Sequence, residues 1–319
     1  MIVKIKKSDV SDISCDVLVL KYAQGRYGVD AEIAGRLKAH SPNLKIEPKP
    51  DSYILIPSNG VIYARYVLFV GVTPLNEFDY REIRKFCIRA LSAVKQELPT
   101  AMHIAMTMHG VNCGLDERES FSAQIAGIGD SDQYTVGIKQ ITIIERDGRR
   151  ANRLREILRQ IWPQVDQNTS ATRRVATSIT AGNASNMKPH IFVAMPFAKE
   201  MEDVYIFGIQ GPINTAGYLC ERVDMEIFSG DILGRIKSRI ETAELVVADL
   251  TGGNPNVYLE VGYAWGKSRP TLLIARQGGE LKFDVRGQRC IIYESIADLA
   301  NKLSKDLSQI QALSNSSHA

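Results

Sequence analysis

The sequence has no C-x-x-C and no Cys/His spacing; its five cysteines, Cys15, Cys87, Cys113, Cys220 and Cys290, are scattered and odd in number. That excludes a zinc ligand set and a disulfide framework and leaves reduced, mostly buried thiols. Long apolar runs are missing too. Stretches such as Val17–Leu20 and Val67–Val70 are strand-sized, far short of the roughly 18 residues that a membrane span requires. An excess of one charge is also absent. With 39 Lys and Arg against 36 Asp and Glu, the formal net charge is +3. The basic residues are dispersed, which argues against a chain whose main task is gripping nucleic acid. The first residues, MIVKIKKSDVSD, alternate lysine with isoleucine and valine. They lack the continuous apolar stretch and cleavage site of a signal peptide, so a soluble, cytoplasmic protein is expected. Neither a Walker pattern nor G-x-G-x-x-G occurs, and no motif calls for a cofactor or a metal. What is present is a chain of 319 residues, 45% of them hydrophobic, enough for two ordinary cores and therefore two domains.

From Met1 to about Trp162, strand-like and helix-like stretches alternate. Strands are expected at Ile2–Ile5, Val17–Leu20, Ser52–Pro57, Tyr66–Val72, His103–Met108 and Lys139–Glu145, with helices around Asp30–Ala39 and Tyr80–Glu97. This pattern predicts an α/β domain with a mixed sheet. Two strand-to-helix loops stand out, Tyr22–Gly28 and Thr107–Glu117, both polar and glycine-bearing. Such loops either present backbone N–H groups to an anion or simply make tight turns. His109, alone in the second loop, reads as a packing residue rather than a base. A basic helical stretch then runs to Trp162-Pro163, where proline ends it. Gln164 to Pro189, rich in Ser, Thr, Asn and Gln, follows as a connector or as a segment ordered by docking.

The Val17–Leu20 strand, the Val67–Gly71 strand ending in glycine, the HGVNCGLDERE loop-helix and Gln124-Ile125-Ala126-Gly127 give residues 1–145 a resemblance to the macro-like amino-terminal domain of leucyl aminopeptidases. The peptidase domain of that family has no counterpart downstream. The resemblance implies a macro-type sheet that binds a nucleotide-like ligand or serves in assembly.

The second domain, residues 190–319 beyond a linker at 163–189, is easier to read. Strands at Ile191–Met195, Tyr218–Val223, Leu245–Ala248, Thr271–Ala275 and Arg289–Tyr293 are interleaved with helices at Glu200–Ala216, Asp231–Ala243, Asn256–Trp265 and Ile296 to about Leu313. The first of these helices should bend at Gly211-Pro212, and Asn256 is placed to cap the third. Strands separated by helices with right-handed crossovers predict a flavodoxin-like five-stranded parallel sheet. Ligands bind beyond the carboxyl ends of such strands. The candidates there are Met195, Pro196 and Phe197, then Arg222 and Asp224, then Asp249 and Thr251, with Asn256, Glu260 and Tyr263 on the adjoining helix. The spacing should turn the carboxylates of Asp249 and Glu260 towards one opening, and small Gly262 and Ala264 imply close packing of that helix.

Together IFVAMPF, RVD and ETAELVVADLTGGNPNVYLEVGYAWGK resemble the nucleoside 2-deoxyribosyltransferase-like branch of the TIR-like superfamily, over about His190 to Tyr293. In that family the glutamate of E-x-G-Y-A attacks the anomeric carbon, a position occupied by Glu260. The acid just upstream is not reproduced, since Asn254-Pro255-Asn256 stands there, so Asp249 or Asp224 would have to assist base departure. The resemblance thus implies cleavage, by hydrolysis or transfer, of the N-glycosidic bond of a nucleoside, nucleotide or dinucleotide, with Glu260 as nucleophile or oxocarbenium stabiliser. Two alternatives stay open: a TIR-like activity on NAD, and a nucleotide-sensing module without turnover. The family also implies a homo-oligomer and a setting in bacterial antiviral defence.

Overall fold

The computed structural model describes residues 1–25, 27–111, 113–163, 180–223, 232–278, 285 and 287–316. The chain divides into two compact units. One holds Met1–Cys113 and Glu117–Met187; the other holds Gly114–Asp116 and the described residues from Lys188 onward.

The first unit is built on six strands, β1 (Ile2–Lys7), β2 (Val17–Tyr22), β3 (Tyr53–Pro57), β4 (Tyr66–Gly71), β5 (His103–Thr107) and β6 (Gln140–Glu145). They lie in the order β1-β6-β5-β2-β4-β3, all parallel except β3, which runs antiparallel to β4. The middle of the sheet is covered on both faces, which is why β2 and β4 read as unbroken apolar runs rather than alternating ones. Four helices cover it: α1 (Gly28–His40), α2 (Tyr80–Glu97), α3 (Glu117–Gly129) and α4 (Gly148–Ile161). Side-chain oxygens of Asp79 and Asp147 accept from the first-turn N–H groups of Glu82 and Arg150, at 2.8 and 2.6 Å, and so start α2 and α4. Helix α3 lies close against α2: a Cβ built on Gly127 would stand 2.4 Å from the Arg84 carbonyl oxygen.

The second unit carries β7 (His190–Ala194), β8 (Leu219–Glu221), β9 (Leu245–Asp249), β10 (Thr271–Arg276) and β11 (Cys290–Tyr293). All are parallel, in the order β11-β10-β9-β7-β8. Renumbered within the unit this is 2-1-3-4-5, the flavodoxin-like order. Between β7 and β8 lie a π-helical stretch, Val204–Gln210, and the short α5 (Gly211–Thr215). The other helices are α6 (Ile232–Thr242), α7 (Pro255–Gly266) and α8 (Ile296–Ser316).

Two local details refine the expectations. The chain stays helical through Gly211-Pro212, and Gly211 N–H donates five residues back to Ile206. Pro212 has no N–H, and widening the preceding turn to π geometry accommodates that missing bond without a break. Helix α7 is capped by Asn254, whose side chain accepts from Asn256 N–H at 2.9 Å, with Pro255 at the first helical position. Proline there has no N–H to orphan, so the Asn-Pro pair starts the helix earlier than Asn256.

Each face of the five-stranded sheet has its own core. On one side Val193, Val247 and Tyr293 pack with Leu299 and Leu303 of α8; on the other Phe192, Val246 and Ala248 pack with Ile236 of α6 and with Val257, Val261 and Ala264 of α7.

Candidate functional site

The sheet topology places two concave sites, one in each unit. In the first unit a cavity of about 370 Å³ lies where β2, β5 and β6 give way to their loops. Its lining includes Lys21, the start of α1 from Gly28 to Asp30, Gly110 and Cys113 of the β5–α3 loop, and Arg146 and Arg150. Gly28 and Gly110 have φ of 51° and 95°, the left-handed region that glycine enters without a Cβ penalty. Tyr27, the residue before α1, gives the helix no side-chain cap, so first-turn N–H groups lack the acceptor that a Ser or Asp would bring.

The charges on this cavity are largely paired. Lys21 Nζ meets Asp30 Oδ2 at 2.6 Å, with Asp30 buried and the Lys21 side chain 13% exposed. Burial pushes the Asp30 carboxyl up while the ammonium opposes that shift, and Asp30 Oδ1 has no hydrogen-bond partner. Arg146 bridges Asp9 and Glu32 at 2.7 and 2.9 Å and keeps half its side chain exposed. Arg150 reaches Glu117 and Glu145 at 3.3 and 3.5 Å.

His109, between two lining residues, turns inward. It is 1% exposed, its ring meets Phe86 edge-on at 4.4 Å, and neither ring nitrogen has a partner. Burial holds its pKa well below the usual histidine range, so the imidazole is neutral.

In the second unit a groove of about 250 Å³ runs between α6 and α7. Four residues from each helix line it at the same i, i+3, i+4, i+7 spacing: Leu233, Ile236, Lys237 and Ile240 from α6, and Asn256, Leu259, Glu260 and Tyr263 from α7. Glu260 is half-buried among aliphatic side chains, and among the described residues its carboxyl has no hydrogen bond or ion pair. Burial alone raises its pKa from an ordinary 4.5 to about 8, so it carries its proton at neutral pH. Tyr263 closes one end, its hydroxyl donating to Glu241, which also pairs with Lys267 at 2.7 Å.

The groove thus gathers three of the candidates named from the sequence: Asn256, Glu260 and Tyr263. The others lie elsewhere. Asp249 shares the pleat face of Val247, two residues before it, so its side chain sits on the α8 side of the sheet, opposite the α6–α7 layer that holds Glu260. There Tyr293 Oη donates to Asp249 Oδ2 at 3.0 Å and Thr251 N–H to Oδ1 at 2.9 Å. Thr251 Oγ1 in turn accepts from Arg276 N–H at 3.0 Å. Burial raises the Asp249 pKa and these bonds oppose the rise. Asp249 and Glu260 therefore do not share an opening.

Met195, Phe197 and Arg222 form a cluster of their own. The Arg222 guanidinium lies between the Phe197 and Tyr205 rings, 4.4 and 3.8 Å from their centroids, pairs with Glu202 at 3.1 Å and reaches Met195 Sδ at 3.6 Å. Pro196, between Met195 and Phe197, is half-buried. None of the four lines the groove. Asp224 lies outside the described residues. Gly262 departs from the expected close packing: it faces outward with open space where a Cβ would stand, while Ala264 is fully buried.

The α6 wall of the groove and the Lys21–Asp30 pair were not singled out from the sequence. The first had a signal, since Leu233, Ile236 and Ile240 repeat at helical spacing with Lys237 among them. The second had none, because residues nine apart meet only once β2 and α1 are placed.

No protein-family model matches this sequence, and neither does any curated protein. Solved structures similar to about half of the chain include macrodomains. One from Oceanobacillus iheyensis is 14% identical, with 51% of this chain and 92% of that chain covered and a TM-score of 0.40. The macro domain of ganglioside induced differentiation associated protein 2 is 12% identical, with 51% and 85% covered and a TM-score of 0.42. A Trypanosoma brucei macrodomain in complex with ADP-ribose is 16% identical, with 49% and 68% covered and a TM-score of 0.40.

Proposed function

We propose that the first unit binds a nucleotide-like phosphate ester in its 370 Å³ cavity. One observation carries the reading: the carboxyl ends of three neighbouring strands, the uncapped start of α1 and the half-exposed Arg146 converge on one concavity. Backbone N–H groups at a helix start favour an anion, an arginine suits phosphate bidentately, and the unpartnered Asp30 Oδ1 accepts from a sugar hydroxyl or an amine. ADP-ribose, the compound present in the Trypanosoma brucei macrodomain, is the first ligand to test, with ADP and AMP beside it. Calorimetric titration should show binding that Arg146→Gln weakens about tenfold. Heats indistinguishable from buffer for all three compounds, in wild type as in the variant, remove this function.

A second reading concerns Glu260: cleavage of an N-glycosidic bond in the α6–α7 groove. It is favoured by a carboxyl held without a partner in an apolar groove, protonated at neutral pH. In that form it donates its proton to a departing base, as general acids of raised pKa do. Positive charge developing at the anomeric carbon then favours the carboxylate left behind, which stabilises the cation while water supplies the new hydroxyl. Asp249 has no share in this version, since among the described residues Glu260 is the one carboxyl that lines the groove. Chromatography of free base after incubation with nucleosides, nucleotides and NAD tests it. Wild type should release base, and Glu260→Gln should lose at least about 100-fold. Equal inertness of both proteins on the whole panel ends the reading.

A further inference from the structure

Two ammonium groups stand beside the Tyr263 ring, Lys237 Nζ at 5.6 Å and Lys267 Nζ at 5.5 Å. They are not equivalent. Lys267 is neutralised by Glu241, whereas Lys237 forms no ion pair among the described residues. Lys237 also lines the groove that Glu260 lines, yet the two do not pair: burial is the whole cause of the raised Glu260 pKa, with no contribution from a neighbouring charge. The groove is thus lined by an acid without a partner and by an exposed ammonium that forms no ion pair among the described residues. A neutral nucleoside would satisfy the wall and the acid and leave the ammonium without a purpose.

Size narrows the class further. A volume of about 250 Å³ falls below the roughly 300–1,000 Å³ of drug-sized sites. It suits one nucleoside unit and is too small to enclose a dinucleotide. Lysine at a rim is a compact point charge on a flexible stem, the arrangement that meets a solvated phosphate.

We propose that the α6–α7 groove recognises a nucleoside monophosphate, with Lys237 meeting the phosphate while Glu260 faces the glycosidic bond. Recognition of the glycosidic bond rests on the Glu260 reading above; recognition of the phosphate by Lys237 is a separate claim with its own test.

The kinetic test compares matched pairs, each nucleoside with its 5′-monophosphate, using the full chain and the variants Lys237→Gln and Lys237→Arg. In wild type kcat/KM for the monophosphate should exceed that for the nucleoside about three- to fivefold, the share expected of one exposed ion pair. Lys237→Gln should bring the ratio close to one, and Lys237→Arg should restore most of it. Equal use of the pair by wild type, or the same ratio in Lys237→Gln, overturns the proposal.

A local measurement does not depend on turnover. Reductive methylation of Lys237, read by peptide mass spectrometry, should be slowed by a nucleoside monophosphate and not by the nucleoside. Labelling unaffected by either compound refutes phosphate recognition whatever the kinetics. Protection without base release from any compound keeps Lys237 as a phosphate reader and sinks the glycosidase instead.

Discussion

Glu260 is the residue on which the second unit turns, and its environment has a consequence for folding as well as for chemistry. Its folded pKa of about 8 stands above the ordinary 4.5. Between those values the folded chain holds a proton that the unfolded chain releases, so stability must fall as pH rises. The contribution is whole below about pH 4.5 and gone once the pH passes 8. In urea titrations at pH 5, 6, 7 and 8, the wild-type midpoint should therefore drop more steeply than that of Glu260→Gln. Parallel midpoints would show that the carboxyl is solvated. Burial raises the Asp249 pKa as well, but hydrogen bonds from Thr251 and Tyr293 oppose that rise, whereas nothing opposes it at Glu260. Removing Asp249 leaves the Tyr293 hydroxyl without that acceptor, so Asp249→Ala should destabilise by about 1–3 kcal/mol, read in chemical denaturation.

Elements carry predictions of their own. Helix α7 begins on Asn254-Pro255, and Asn254→Ala removes the acceptor for Asn256 N–H at a cost of about 1 kcal/mol. Chemical denaturation measures that directly. Because α7 is one wall of the groove, the same variant should weaken any ligand of the groove and leave ligands of the first unit unaffected. Gly127→Ala should do more harm, since its Cβ would stand 2.4 Å from the Arg84 carbonyl oxygen and 2.9 Å from Cys87 Cβ. Backbone on backbone gives little way, and about 1–3 kcal/mol is expected, read as a lower melting temperature.

At this scale the sequence is most legible. Strands β2, β4 and β9 announce themselves as apolar runs because both their faces are covered, and the alternation of strand and helix from His190 onward dictates a parallel sheet. The parity of Val247 and Asp249 was equally readable and shows that Asp249 turns away from the α7 face. The helix register alone had brought Glu260 and Asp249 together; counting along the strand separates them. The second wall of the groove was beyond reach. Which helix lies beside α7 depends on the strand order, and Leu233 or Lys237 means nothing for Glu260 until α6 and α7 are side by side.

At the scale of the whole chain, the described helices include none long and apolar enough to cross a membrane. Among the described residues no three His, Cys, Asp or Glu are grouped to hold a metal ion. Each unit has its own sheet, its own core and its own concavity. A ligand that binds only the folded protein raises its stability by mass action, by about 2.7 kcal/mol at a hundred times Kd. ADP-ribose should therefore raise the melting temperature of wild type and of Glu260→Gln alike, whereas Arg146→Gln should shrink the shift. A shift abolished by Glu260→Gln would place that ligand in the groove instead.

Helix α7 also separates two demands that often conflict. Val257, Val261 and Ala264 pack on the sheet while Leu259 and Glu260 line the groove, whereas on α6 Ile236 and Ile240 serve both. Leu233 and Leu259 form the lips and are 44% and 64% exposed. Exchanging them for larger or smaller residues reshapes what the groove admits without disturbing the interior. The shape of the groove is thus within reach of one or two mutations that leave the scaffold as it is.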